Sequence, residues 1–130
     1  MKFSAVGFFV EDLENMVKFY RDVMKMDTDW DGGPFARFQT EGSWFMMFGR
    51  KDFEDMTIQT FDYPKGLNGT MELAFDVPNF SDVDKEYERL IQSGAKSVLQ
   101  PLTKSWGQRV CYVADPEGNL LEICSFGVML

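Results

Sequence analysis

The sequence predicts an α+β fold of two tandem β-α-β-β-β modules, and three observations carry that reading. A unit recurs along the chain: shifting residues 5–24 by 67 positions brings Phe8 onto Phe75, Val10 onto Val77, Lys18 onto Lys85 and Tyr20 onto Tyr87. In both copies an alternating apolar stretch (AVGFFV, ELAFDV) runs into Asp12 or Asn79 and then into residues of helical period, so the repeated object is a strand followed by a helix. Each copy also closes on apolar, strand-like runs joined by a turn that contains glycine.

Copy one opens with a strand over 3–10 and a helix from about Leu13 to Met24. Its apolar Leu13, Met16, Val17, Tyr20, Val23 and Met24 follow the i, i+3, i+4 rule behind an Asp12 N-cap. A short strand is expected around Thr28–Trp30. The turn Asp31-Gly32-Gly33-Pro34 comes next, then strands FARFQ and SWFMMFG joined by Thr40-Glu41-Gly42. Residues 50–70 mix charge, proline and glycine, with only TIQTF resembling order, and read as a connector that either links the copies or doubles as a lid.

Copy two places a strand at 71–77 and a helix from about Ser81 to Ser93, capped by Ser81 with Asp84 three residues on and ended by Gly94. SVLQ, QRVCYVA and NLLEICSF read as strands. The last two are joined by Asp115-Pro116-Glu117-Gly118-Asn119, where Pro presets one turn angle and Gly or Asn supplies another. Aligning this hairpin with copy one takes a shift of 76 rather than 67, which pairs Gly118 with Gly42 and gives the second copy nine more residues between helix and hairpin. Modules at about 1–49 and 71–127, around a connector at about 50–70, make a single domain of 130 residues that buries about two thirds of its unfolded surface.

Composition narrows the function. Thirteen Phe and nine Met are many for this length, so the core is aromatic and soft, or an apolar cavity takes the excess, or both. The net charge is −8 with the acidic residues scattered, and no basic stripe exists to neutralise phosphates, which argues against a nucleic-acid partner. Nothing approaches a membrane span or a signal segment, and the two cysteines, Cys111 and Cys124, read as buried thiols of a reducing compartment; we therefore expect a cytoplasmic protein with no membrane partner.

Trp106-Gly107-Gln108-Arg109, then Tyr112, then Asp115 through Ile123 resemble the closing motif of the vicinal oxygen chelate superfamily, also called the glyoxalase, bleomycin-resistance and dioxygenase superfamily. The opening Val10-Glu11-Asp12-Leu13 with Phe19-Tyr20 resembles its other signature. The resemblance spans essentially the whole chain. It implies one curved mixed sheet around a ligand cavity, often completed in a homodimer, and it implies no single reaction, since the superfamily includes isomerases, ring-cleaving dioxygenases, antibiotic-modifying enzymes and non-catalytic binding proteins.

Strand alternation sorts side chains by face. It turns Ala5, Gly7 and Phe9, then Trp44, Met46 and Phe48, towards the cavity in copy one. In copy two it turns Glu72, Ala74 and Asp76, then Leu120, Glu122 and Cys124, the same way. The register of strand 109–113 stays open, which leaves Arg109 a possible cavity residue. Metal-using members of the superfamily carry His, Gln or Glu at four positions that here hold Ala5, Met46, Glu72 and Glu122. With no histidine in the chain, a site with imidazole ligands is excluded, and two carboxylates alone could hold magnesium or calcium only weakly. We expect no resident metal and no cofactor.

Glu72 and Glu122, walled by Phe9, Trp44, Met46 and Phe48, have three readings. They share a proton, or they attract a cationic ligand while the aromatic residues stack on it, or Arg109, Arg37 or backbone amides satisfy them. Trp106 either stacks on a ligand at the cavity mouth or anchors its loop. Two functions follow. One is a metal-independent protein that binds or sequesters a small aromatic or cationic molecule, with Phe9, Trp44, Met46, Phe48, Glu72, Trp106, Arg109 and Glu122 as ligand-binding residues. The other is an enzyme similar to lactoylglutathione lyase, a lyase or isomerase with Glu122 or Glu72 as general base.

Overall fold

The computed structural model describes residues 1–127, and the recurrence read from the sequence is visible as two compact units, Met1–Tyr63 and a second that begins at Pro64. In the first unit, β1 (Ala5–Val10) leads through Asp12 into α1 (Leu13–Lys18), and Asp12 Oδ1 accepts from the Asn15 amide at 3.1 Å. The helix then widens. Phe19–Val23 form a π-helical turn, closed by the Met24 amide donating to the Phe19 carbonyl at 3.0 Å, and the wider turn brings the neighbouring rings of Phe19 and Tyr20 both into the core.

β2 (Phe35–Phe38) runs antiparallel to β3 (Trp44–Gly49), and β3 runs parallel to β1, in the order β1-β3-β2. The strand expected at Thr28–Trp30 shrinks to a single bridge between Thr28 and Phe38. Copy one is shorter here than copy two, and its Asp- and Gly-rich segment favours turns over a ladder.

The connector corrects one expectation. Its ordered part is RKDFEDMT, which forms α2 (Arg50–Thr57), whereas TIQTF begins at the last helical residue and continues past the end, where Ile58 takes a left-handed conformation at φ 56°. The β-prone run has no partner strand, and the helical period of Phe53 and Met56 was hidden among charged neighbours.

The second unit contains β4 (Asn68–Asp76), α3 (Phe80–Gln92), β5 (Lys96–Thr103), β6 (Arg109–Ala114) and β7 (Asn119–Ser125), with sheet order β4-β7-β6-β5. Again the first strand lies parallel to the last. The cap of α3 is Asn79 rather than Ser81: Asp82 Oδ2 accepts from the Asn79 amide and from Asn79 Nδ2, each at 3.0 Å, so the helix starts before the expected Ser81. That frees Asp84 for a different partner. Hydrogen bonding thus divides the strands into a three-stranded and a four-stranded sheet, one per unit, in a mixed α+β chain of two repeated modules.

The buried faces differ in character. In the first unit Phe8, Tyr20, Phe38 and Phe45 form an aromatic cluster with ring centroids 5.0–5.9 Å apart, in tilted or edge-on contacts. In the second, Val83, Leu90, Val113, Leu121 and Ile123 make an aliphatic core between α3 and the sheet. Much of the phenylalanine excess therefore sits in one unit.

Candidate functional site

Each sheet has one face that its helix does not cover, and the burial of alternate residues identifies it. In β1 Phe8 and Val10 are buried while Gly7 and Phe9 are exposed; in β3 Phe45 and Met47 are buried while Trp44, Met46 and Phe48 are not. The uncovered face of the first unit is apolar. Phe9, Phe35, Met46, Phe48 and, from α2, Met56 line a hollow of about 470 Å³, and Gly7, with nothing within 4 Å of where a Cβ would stand, leaves its floor open. Phe9, Met46 and Phe48 are thus brought together as expected from the alternation. Trp44 is not with them. It lies at the other end of β3 in a separate groove with Asp29 and Arg37, and the Arg37 guanidinium lies 4.7 Å from its ring while also bonding Asp29.

The uncovered face of the second unit is acidic. Glu72 and Asp76 project from β4 and Glu122 from β7, and the register sets Ala74 beside Glu122 and Glu72 beside Leu120. β6 supplies what strand counting had left open. Tyr112 lies opposite Glu122, and its hydroxyl donates to Glu122 Oε2 at 2.7 Å while Glu72 Oε1 stands 3.4 Å away. Burial first, and then the hydrogen bond to Glu122, push the phenol pKa well above its ordinary value, so it stays a neutral donor. Beside them Cys124 Sγ donates to Asp76 Oδ1 at 3.0 Å, and burial, reinforced by that bond, pushes the thiol up to about 12. A groove of about 430 Å³ opens over Glu72, Tyr112, Val98 and Leu120.

Within this unit no Lys or Arg of the described residues is ion-paired with Glu72 or Glu122. Arg109, expected as a possible cavity residue, stands on the opposite face. Alternation along β6 separates it from Tyr112, and it bonds Asp84 of α3 through two nitrogens at 2.7 Å and Thr103 at 2.9 Å. The guanidinium holds the Asp84 carboxyl below the usual carboxylate range, chiefly through the hydrogen bonds. Arg37 is occupied by Asp29 and Trp44. So within this unit Glu122 is bonded by Tyr112 and not by Arg109. Trp106 lies in the β5–β6 loop, 64% exposed, with its indole N–H donating to Gln108 Oε1 at 2.9 Å.

Tyr112 was legible in principle, because the Asp115–Asn119 turn pairs Ala114 with Leu120 and counting back two residues on each strand reaches Tyr112 and Glu122. Met56 and Phe53 were not, since they lie in a segment that read as a linker. The metal implied by the superfamily does not fit these residues. Ala5 and Met46 offer a methyl and a thioether, the second unit offers two carboxylates with a phenol already donating to one, and among the described residues no three His, Cys, Asp or Glu side chains converge. We derive no chemistry through one.

Residues 3–126 match the family model described as a glyoxalase-like domain. The chain belongs to the glyoxalase-like family. The family lies within the vicinal oxygen chelate superfamily that the closing motif resembled. A relative in Bacillus subtilis strain 168, the uncharacterized protein YraH, is 29% identical over 127 residues, covering 95% of this chain and 97% of that one. Among solved structures, a glyoxalase/bleomycin resistance protein/dioxygenase family enzyme from Burkholderia phytofirmans PsJN is 24% identical with a TM-score of 0.83, covering 97% of this chain and 99% of that one. A glyoxalase-related enzyme from Fulvimarina pelagi is 21% identical with a TM-score of 0.82, covering 95% and 87%. These structural likenesses establish the glyoxalase fold, and no described helix is long and apolar enough to cross a membrane.

Proposed function

We propose that this glyoxalase-like protein binds a small aromatic or cationic molecule without a metal and without transforming it. The observation that carries this reading is the Glu72–Tyr112–Glu122 group, in which two carboxylates share one neutral phenol and neither is ion-paired with a Lys or Arg among the described residues of their unit. Such a group leaves negative charge that a ligand's cation can neutralise, and the apolar body of the ligand gains further from contact with Val98 and Leu120, which line the same groove. The lyase reading is disfavoured by the same charges. An enediolate developing beside Glu72, Asp76 and Glu122 meets repulsion, and the Tyr112 O–H is already directed at Glu122.

The test compares benzyltrimethylammonium with a neutral isostere, neopentylbenzene, by thermal shift and calorimetry. The cation should raise the melting temperature by mass action, and Glu72→Gln and Glu122→Gln should each weaken its affinity about fivefold or more. Equal response to both compounds, or none to the cation, would sink the reading. Turnover of the methylglyoxal–glutathione adduct, abolished by Glu122→Gln, would replace it with the lyase. The proposal extends to a cytoplasmic homodimer, for which sedimentation of the purified protein is the check on assembly.

A further inference from the structure

The apolar hollow of the first unit has a wall that its sheet does not supply. α2 and the chain after it return to β1: the Phe53 ring stacks on Phe9 with centroids 3.6 Å apart and planes 13° apart, and Phe61 stacks on Phe53 at 5.1 Å. Polar contacts tie the segment at both ends. Arg50 Nε donates to the Phe9 carbonyl at 3.1 Å and its guanidinium lies 4.3 Å from the Tyr63 ring, while Glu54 Oε2 accepts from the Phe61 amide at 3.0 Å and from the Tyr63 hydroxyl at 2.9 Å.

Beyond Phe53 and Glu54 the segment buries little apolar surface. A short helix is ordinarily stabilised by burying an apolar face, yet α2 buries no side chain, and Met56, on the rim of the hollow, is 65% exposed. Ile58, next after the helix, is 90% exposed and sits at φ 56°, where a β-branched side chain is strained. Met56 thus stands largely in water on the rim of the hollow, and Ile58, two residues further on, stands in water as well, on a segment whose ends are already fastened.

We propose that Arg50–Tyr63 is a strap that closes on an apolar molecule in the hollow over Phe9, Met46 and Phe48, folding Met56 and Ile58 onto it. Closure removes both side chains from water. Because the ends are fixed, little further chain entropy is lost in closing. The inference rests on the binding reading only in requiring that the protein takes up a small molecule, and it assigns the occupant of this hollow an uncharged aromatic or aliphatic character.

The test uses the full chain and the neutral dye N-phenyl-1-naphthylamine. Hydrogen exchange of the amides of 51–61 should slow about fivefold or more when dye saturates, while amides of β6 and β7 stay unchanged. Met56→Ala and Ile58→Ala should each weaken dye affinity about threefold to tenfold. Both side chains are exposed, so unchanged melting without dye confirms intact folding. Dye that binds the variants as tightly as the parent, with exchange of 51–61 unaltered, overturns the strap and leaves the hollow as a binding site. Failure of the parent to bind dye overturns the strap, and leaves the response of Glu72 and Glu122 to a cation as the separate test of the binding reading.

Discussion

The two units share a wiring and differ in chemistry. Both place their first strand parallel to their last and let a hairpin complete the sheet, yet one presents Phe9, Met46 and Phe48 on its uncovered face and the other Glu72, Tyr112, Glu122 and Asp76. The difference shows that the buried periodicity of the repeat has been kept while the outward period is free to change. Even the buried sides diverged, into an aromatic cluster in one unit and an aliphatic layer in the other, because a core requires volume and apolarity rather than particular residues.

The sharpest way to separate the units is at Gly118 and its repeat equivalent, Gly42. Gly118 has φ 87°, and a Cβ there would collide with the Gly66 carbonyl oxygen, where the turn packs against the start of β4. Gly42 has nothing within 4 Å and no left-handed backbone. Gly118→Ala should cost about 2–4 kcal/mol in urea unfolding, from left-handed strain together with the backbone clash, and Gly42→Ala about 0.5 kcal/mol or less. Equal costs would mean that the second hairpin is not the more constrained one.

A second separation uses pH. Cys124 is buried and its thiol is pushed up to about 12, by burial first and then by the bond to Asp76, whereas an unfolded thiol titrates near 8.5. Over that interval the unfolded chain has lost a proton that the folded chain keeps, so stability present at pH 7 falls as pH rises above about 8.5. Cys111, pushed up to about 11, acts in the same direction, and both lie in the second unit. Cys124→Ala should flatten the decline between pH 8.5 and 10.5 by up to about 1 kcal/mol per pH unit, read from urea midpoints. An unchanged slope would show that Cys124 titrates in the folded chain as it does unfolded.

Much of this asymmetry could be read from residue order alone. The strands, the Asp12 cap and the face alternation follow from period-two and period-3.6 patterns, and the contrast of Ala5 and Met46 with Glu72 and Glu122 needed only the repeat. What escaped depended on contacts between distant segments. The strand at Thr28 failed because no local signal reports whether a neighbour extends a ladder. α2 was missed because charged residues interrupt a helix that is tied mainly through Phe9, Tyr63 and Glu54. Two capping spacings, at Asn79 and at Ser81, coexist in the sequence, and Asp84 fits either a cap or an ion pair until its distance to Arg109 is known.

Arg109 supplies the smallest expected effect and a direct check on which face of the second unit binds ligand. Its guanidinium is fixed on the helix side of β6 by Asp84 and Thr103, while Tyr112 points to the other side. The Asp84 side chain is 46% exposed, so the pair is screened by water and contributes about 1 kcal/mol or less. Arg109→Met keeps an apolar stem against α3 and removes the charge. It should lower stability by no more than that amount and change benzyltrimethylammonium affinity less than twofold, measured by calorimetry. A larger gain in affinity would mean that the Arg109 charge repels the bound cation, and therefore that the cation sits on the helix side of the sheet, away from the Glu72–Tyr112–Glu122 face.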